Sequence, residues 1–329
     1  MAVYTEVSRE AAQTLLVRLN LGALQAFEPC AGGIENTNYF CDADAGRFVL
    51  TLFERLRHDE LPYYLHLMRH LADRGLPVPA PQADVTGAIL HTVCAKPAAV
   101  VERLPGSARL APDIAHCEAV GAMLARMHLA ALDYPRAQPN PRGLDWWAQT
   151  APVIQPFLTG AQRELLDGEL AFQQQVAASD VAQHLPRGAI HGDLFRDNVM
   201  FDATPQGDAL SGFFDFYFAG TEALAFDIAV CLNDWCTDPA SGRLEEARAA
   251  AFVRAYAAIR PLEGAEARLM PAMLRGAALR FWISRLWDLH LPRDAQLLTA
   301  HDPTPFEHVL RERVRTPWHP TDIATPHDA

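Results

Sequence analysis

Ser8 precedes a segment, 9 to 19, in which Leu15, Leu16 and Leu19 share one face at helical spacing; Ser8 can cap it and Gly22 can end it. From Ala23 to Phe53 the period changes. Short apolar runs are split by turn residues: a run ending at Cys30, then Gly32-Gly33 and Asn36-Thr37-Asn38, then Tyr39-Phe40-Cys41, Asp42 to Gly46, and Phe48 to Phe53. That pattern predicts an antiparallel meander of three strands. Asp59, Glu60 and Pro62 mark the start of a helix running to about 73, with Leu61, Leu65, Met68 and Leu71 as its apolar stripe and Gly75 beyond its end. Pro77 to Pro81 is rigid and extended. Thr86-Gly87 and the run Pro97 to Leu104 suggest a hairpin, with Lys96 in its turn and its last strand leaving at Pro105-Gly106. Beyond that dipeptide helical spacing dominates, over 113–131, 161–179, 222–236, 243–259 and 265–290, with short apolar strands near 199–201 and 211–214. The prolines and absent periodicity after 315 read as a loosely held tail.

The pattern predicts an α+β protein of two lobes, a small antiparallel-sheet lobe over 1–105 and a larger, mainly helical lobe over 106–329. A cleft between two such lobes is a usual place for a ligand.

Composition narrows the partner. The chain is 50% apolar and 21% charged, as expected of a soluble globular protein. Its 40 acidic residues outnumber 28 basic ones for a net charge of -12, which argues against holding nucleic acid or an anionic membrane. No window approaches the roughly 18 apolar residues of a membrane span. Met1 to Glu10 lacks the basic flank and apolar run of a signal peptide, so a cytoplasmic location is expected. The six cysteines form no C-x-x-C pair and read as reduced thiols, mostly core filler. All the basic residues are arginine except Lys96, so chemistry that needs a lysine has one candidate.

The informative stretch is Gly188-Ala-Ile-His191-Gly192-Asp193-Leu194-Phe195-Arg196-Asp197-Asn198-Val199-Met200-Phe201, followed by Gly212-Phe-Phe-Asp215-Phe216-Tyr217. Asp193, Asn198 and Asp215 stand at fixed distances between apolar strands. The set suits phosphoryl transfer from a nucleotide: one carboxylate orients or receives the proton of an attacking hydroxyl, while an amide oxygen and a second carboxylate hold Mg²⁺.

These motifs resemble those of the protein-kinase-like small-molecule kinases, which include the aminoglycoside phosphotransferases and choline kinases. The resemblance implies a bilobal kinase fold, ATP and Mg²⁺ as cofactors, Asp193 as catalytic base, Asn198 and Asp215 as metal ligands, and His191 and Asp227 as supports of the catalytic loop. Asp227 lies in Ala225-Phe-Asp-Ile-Ala229, which lacks the proline that opens the related motif. Ala31-Gly-Gly-Ile-Glu-Asn-Thr-Asn-Tyr-Phe40, Arg47-Phe-Val-Leu-Thr-Leu-Phe-Glu54, Leu232-Asn-Asp-Trp-Cys236 and Arg280-Phe-Trp-Ile-Ser-Arg-Leu286 sharpen the match. Together they resemble the homoserine kinases of this fold. What this implies is ATP-dependent phosphorylation of L-homoserine, a step towards threonine.

Within that frame Gly32 and Gly33 would let backbone approach the triphosphate, and Asn36, Thr37 and Asn38 could donate to its oxygens. Glu102 to Leu104 would form the strand whose backbone reads adenine. Thr51 stands where most relatives carry a phosphate-binding lysine. Lys96 reads as an exposed turn residue, Arg55 or Arg57 is a candidate replacement, and Glu60 is either the partner of the absent lysine or a first-turn acid. An amino-acid acceptor needs a cation for its carboxylate and an anion for its ammonium. Arg196, Arg280 and Arg285 are the candidates for the first, Asn233 and Asp234 for the second. Trp235, Trp282 and Trp287 read as core first and pocket wall second. The alternatives are another small acceptor (choline, methylthioribose or an aminoglycoside) and a nucleotide-binding pseudokinase suggested by Thr51.

Overall fold

A computed structural model describes residues 5–30, 36–291 and 301–320. Gly32 and Gly33 lie outside the described residues, as does the tail beyond 320. The chain divides into two compact units, Met1–Gly106 with Ser211–Phe214, and Ser107–Leu210 with Asp215–Ala295 and the C-terminal residues.

In the first unit Ser8 caps α1 (Arg9–Arg18) by accepting the Ala11 N–H at 3.1 Å. Strands β1 (Leu24–Pro29), β2 (Thr37–Ala43), β3 (Gly46–Leu52), β4 (His91–Val93) and β5 (Lys96–Glu102) form one antiparallel sheet in the order β1-β2-β3-β5-β4. Period-two alternation puts Phe48, Leu50 and Leu52 of β3 in one core with Tyr39, Cys41, Ala98 and Val100, closed by Leu15 and Leu16 of α1. Thr51 therefore faces the other way, in register with Asn38 and Ala99. Helix α2 (Pro62–Ala72) begins at Pro62 rather than near Asp59. Proline suits a first helical position because it has no N–H to leave unpaired, while Glu60 is drawn into the preceding turn by the Arg57 N–H at 2.9 Å.

The hairpin turn differs from expectation. Its two turn residues are Cys94 and Ala95, both with positive φ, 51° and 60°. This mirror-image turn matches the twist of the strands but lacks the glycine that normally announces it. The Thr86-Gly87 signal belongs to an earlier turn, built on Asp84 Oδ1, which accepts the amides of Thr86 and Ala88. Lys96 opens β5, and its Nζ pairs with Glu54 Oε2 at 3.0 Å.

The second unit contains α3 (Ile114–Ala130), α4 (Leu144–Ile154), α5 (Gly160–Ala177), α6 (Asp180–Gln183), β6 (Arg187–Ile190), β7 (Val199–Thr204), most of β8 (Gly207–Phe213), β9 (Gly220–Ala223), α7 (Leu224–Trp235), α8 (Glu246–Ala257), α9 (Gly264–His290) and α10 (Thr304–Arg315). β6 pairs with β9, and β7 with β8. Helix α7 is buried all round except at Asp234, which makes it the central pillar of the unit. Helices α4 and α10 and strands β6 and β9 are additions to the elements read from the sequence. Among the described residues no helix is long and apolar enough to cross a membrane.

Helices α3 and α8 approach closely at Gly121, where an added Cβ would lie 2.3 Å from the Phe252 carbonyl oxygen. That oxygen is backbone, so one helix must shift. Gly121→Ala is expected to cost about 2 kcal/mol by overpacking, read as a lower denaturant midpoint.

Candidate active site

The segment from His191 to Asn198 joins β6 to β7, and α7 holds its backbone at two points. Asp227, fully buried, accepts the N–H groups of His191 and Gly192, each at 2.8 Å. Seven residues on, two helical turns along the same face, Asp234 Oδ2 accepts the Arg196 N–H at 2.8 Å and Nε at 3.1 Å. Trp235 Nε1 donates to the Leu194 carbonyl at 2.9 Å. The loop carrying Asp193 is thus fixed on both sides of that residue.

Gly192 has φ +75°, and a Cβ there would lie 2.8 Å from the Phe218 carbonyl oxygen. Only glycine meets both conditions. The His191 ring lies 4.5 Å from that of Phe216 and accepts the Asp193 N–H on Nδ1 at 3.2 Å. Asp215, one residue before Phe216, has left-handed backbone at φ 69°, ψ 59°. Such a conformation in a non-glycine residue costs about 1–3 kcal/mol and persists where its surroundings over-determine it. Asn198 donates through Nδ2 to the Asp193 carbonyl at 2.8 Å. Its Oδ1 then belongs, with the Asp215 carboxylate, to the class of hard oxygen donors that suits Mg²⁺.

Behind Asp227 runs a buried polar chain that the sequence pattern did not reveal. His128 on α3 bonds Asp227 Oδ2 through Nε2 at 3.1 Å and the Tyr256 hydroxyl through Nδ1 at 2.7 Å. Tyr256 accepts from Arg260, which also pairs with Glu266 at 3.0 Å. Burial pushes the Asp227 carboxyl up, but the hydrogen bond and charge of His128, nearby His191 and the Gly192 amide together outweigh it and hold it below its ordinary value.

On the other side of Asp193 stands Arg280 of α9, buried, with one terminal nitrogen 3.4 Å from Asp193 Oδ1. Its guanidinium lies 3.6 Å from the centre of the Phe281 ring and 4.9 Å from that of Phe218. Arg142 approaches Phe218 as well, at 5.5 Å, and Trp146 at 4.4 Å. Arg142 did not stand out in the sequence; the adjacent pair Trp146-Trp147 was the available signal. Arg285 donates to the Asp302 carbonyl at 3.0 Å. Burial lowers its pKa, opposed by the charges of Asp234, Asp302, Asp193 and Asp197.

Three of the expected substrate and phosphate groups are committed elsewhere. Arg196 is spent on Asp234 and on the carbonyls of Leu110 and Asp234. Asn233 bridges helices, donating to the Leu274 carbonyl at 2.8 Å and accepting from Arg313 of α10 at 3.0 Å. Burial lowers the Arg313 pKa to about 10, and its other donors go to Thr237 and the Gly242 carbonyl. Thr37 is fully buried, and its hydroxyl donates to Glu54 Oε1 at 2.7 Å. Asp234 gives one oxygen, Oδ2, to Arg196; burial raises its pKa and Arg196 opposes the rise.

In the first unit the Thr51 hydroxyl donates to Asn38 Oδ1 at 2.7 Å. Lys96 does not take the place of the missing lysine. Ala99 is the β5 residue in register with Thr51, so Lys96, an odd number of positions away, projects from the opposite face of the sheet. Arg57 is exposed and bound to Asp59 at 3.1 Å and Glu60 at 3.7 Å. Glu102 ends β5 in register with Phe48, and Leu104 follows two residues on.

The profile of the phosphotransferase enzyme family (APH) matches residues 26–262, most of the chain. The fold is similar to that of an amicoumacin kinase, TM-score 0.67 at 17% identity over 93% of both chains, and to choline kinase of Cryptosporidium parvum, TM-score 0.62 at 13% identity over 88% of this chain and 89% of the other. These show an α+β fold of the APH and choline-kinase type, a five-stranded antiparallel sheet followed by a mainly helical part. In sequence the chain is 59% identical over 318 residues to the homoserine kinase of Polaromonas naphthalenivorans, covering 97% of this chain and 99% of that one. It is 53% identical to the homoserine kinase of Ralstonia nicotianae, with 99% of each chain covered. The chain belongs to the phosphotransferase enzyme family and, within it, to the homoserine kinases.

Proposed function

We propose that the protein transfers the γ-phosphoryl group of ATP to the side-chain hydroxyl of L-homoserine, giving O-phospho-L-homoserine and ADP, a cytoplasmic step of threonine biosynthesis. The observation that carries this reading is the buried Arg280 guanidinium beside Asp193, a cation placed where an amino-acid carboxylate would bring a hydroxyl to the base. Asp193 takes the hydroxyl proton as the new O–P bond forms and the bond from γ-phosphorus to the β–γ bridging oxygen breaks. Asn198 and Asp215 would hold Mg²⁺, whose charge offsets that of the phosphates. Alignment does the rest, because the loop that carries Asp193 is fixed at Asp227, Asp234 and Trp235.

Arg280 binds the acceptor carboxylate, with Arg285 behind it, and Asp234 Oδ1 accepts from the ammonium. Phe218 forms a wall. The first unit, ending near 105, grips the nucleotide: the Gly32-Gly33 segment with Asn36 and Asn38 on the phosphates, and the backbone of Glu102 to Leu104 on adenine. Thr51 acts by orienting Asn38, so a neutral amide stands in for the missing lysine. Choline has no carboxylate to occupy Arg280 and is disfavoured.

A coupled ADP-release assay with MgATP and a panel of L-homoserine, L-serine, choline, methylthioribose and kanamycin tests this directly. Fast turnover of L-homoserine alone is expected. Preference for another acceptor would overturn the substrate assignment, and silence across the panel with MgATP bound would favour a pseudokinase.

A further inference from the structure

Phe195 stands in the turn between the assigned base and the assigned amide ligand. Its N–H donates to the Asp193 carbonyl at 2.8 Å and its carbonyl accepts the Asn198 N–H at 2.9 Å, so its position bears on both. The Phe195 ring is packed from outside the loop. Its centre lies 4.3 Å from that of Phe281 on α9 and 5.8 Å from that of Phe306 on α10, and the latter two are 5.0 Å apart. These separations are in or close to the range in which aromatic pairs attract. The Arg285 guanidinium covers Phe306, 4.5 Å from the ring centre.

Helix α10 is itself pinned two turns further along. Phe306, Val309, Leu310 and Arg313 form its buried stripe. Arg313 donates from Nε to Asn233 at 3.0 Å and from its two terminal nitrogens to the Gly242 carbonyl at 3.1 Å and the Thr237 hydroxyl at 2.7 Å. Asn233 directly precedes Asp234, whose carboxylate accepts the Arg196 N–H of the loop. One helix thus meets the loop directly, at Phe195, and again through the end of α7.

We propose that α10 is a further support of the catalytic loop and that Phe306 is a positioning residue of the reaction, acting through the Phe195 ring on the turn from Asp193 to Asn198. The inference rests on the assignment of those two residues as base and metal ligand. A small misplacement of a reacting group costs rate even where binding is kept. A helix that only covered apolar surface would instead affect the melting temperature and leave kcat per folded molecule unchanged.

Phe306→Ala removes the ring. With MgATP and L-homoserine its kcat per folded molecule is expected to fall about tenfold, while the KM for MgATP stays within about twofold of wild type. Phe306→Leu keeps most of the apolar bulk and is expected to fall about threefold. In a Phe195→Ala background either substitution is expected to change kcat by less than about twofold, because the ring through which Phe306 acts is gone. An unchanged kcat in the single variants, or losses that multiply in the double variants, would overturn the inference. If Phe306→Ala does not fold, Phe306→Leu is read in both backgrounds against the same outcomes. Full turnover by Asp193→Asn would instead sink the assignment on which the inference rests, so the two failures are distinct.

Discussion

Asparagine in place of Asp193 is expected to lower kcat on L-homoserine by about three orders of magnitude while MgATP affinity stays near wild type. The hydrogen bonds that shape this loop do not depend on the Asp193 charge. Asp227 and Asp234 hold the backbone on either side, the Asp193 N–H goes to His191, and Asn198 donates to the Asp193 carbonyl. An asparagine Oδ1 can still accept the Arg280 N–H, though without the carboxylate's charge. What disappears is the ability to take a proton from the attacking hydroxyl. Asp193→Ala removes the Arg280 partner as well and is expected to lose stability along with activity, which makes asparagine the cleaner test. The measurement is ADP release at saturating MgATP and L-homoserine, with nucleotide binding followed separately. A variant within tenfold of wild type would strip Asp193 of its role and leave the transfer to alignment alone.

The catalytic loop was legible because its chemistry fixes its spacing. The proposed base, an amide five residues on and a carboxylate just past the next two strands are held to fixed separations by the transfer assigned to them, so Asp193, Asn198 and Asp215 stand out in one sequence. The acceptor groups were less legible. A lone arginine near a lone aspartate is equally a substrate clamp or an ion pair, and Arg196 with Asp234 is an ion pair. Asp227 and Asp234, seven residues apart on one helix, face the same loop, a relation not drawn from the sequence. Asn233 gave no comparable signal, because its role depends on Arg313 in α10, a distant helix. Helix α4 was obscured by Pro152 within it. Strands β6 and β9 are four residues each, too short for alternation to show. The Cys94-Ala95 turn has residues that local preference alone would not place there. Elsewhere local signals agreed with the fold: Ser8 caps α1, and β1 to β3 follow the apolar runs.

Asp227→Asn carries the second large effect, on folding as much as on turnover. The carboxylate receives three donors, the amides of His191 and Gly192 and the His128 ring, in a site without solvent. An asparagine offers one acceptor oxygen and turns an N–H₂ towards groups that already donate. Removing one partner of a buried ionic cluster costs about 3–5 kcal/mol, so the variant is expected to melt roughly 10 °C lower and, where still folded, to lose about a hundredfold in kcat as the loop loosens. Acid supplies an independent reading of the same group. The folded state holds the Asp227 carboxyl below its ordinary value of 3.8, so as pH falls the unfolded chain binds this proton before the folded one does. The stabilisation is complete above that ordinary value and is lost as pH falls through the lower, folded one. Wild type should therefore lose stability more steeply than Asp227→Asn below about pH 4, and the gap between their unfolding free energies should narrow there. A gap that stays constant from neutral pH into that range would mean that shape, and not charge, is what Asp227 contributes to the loop.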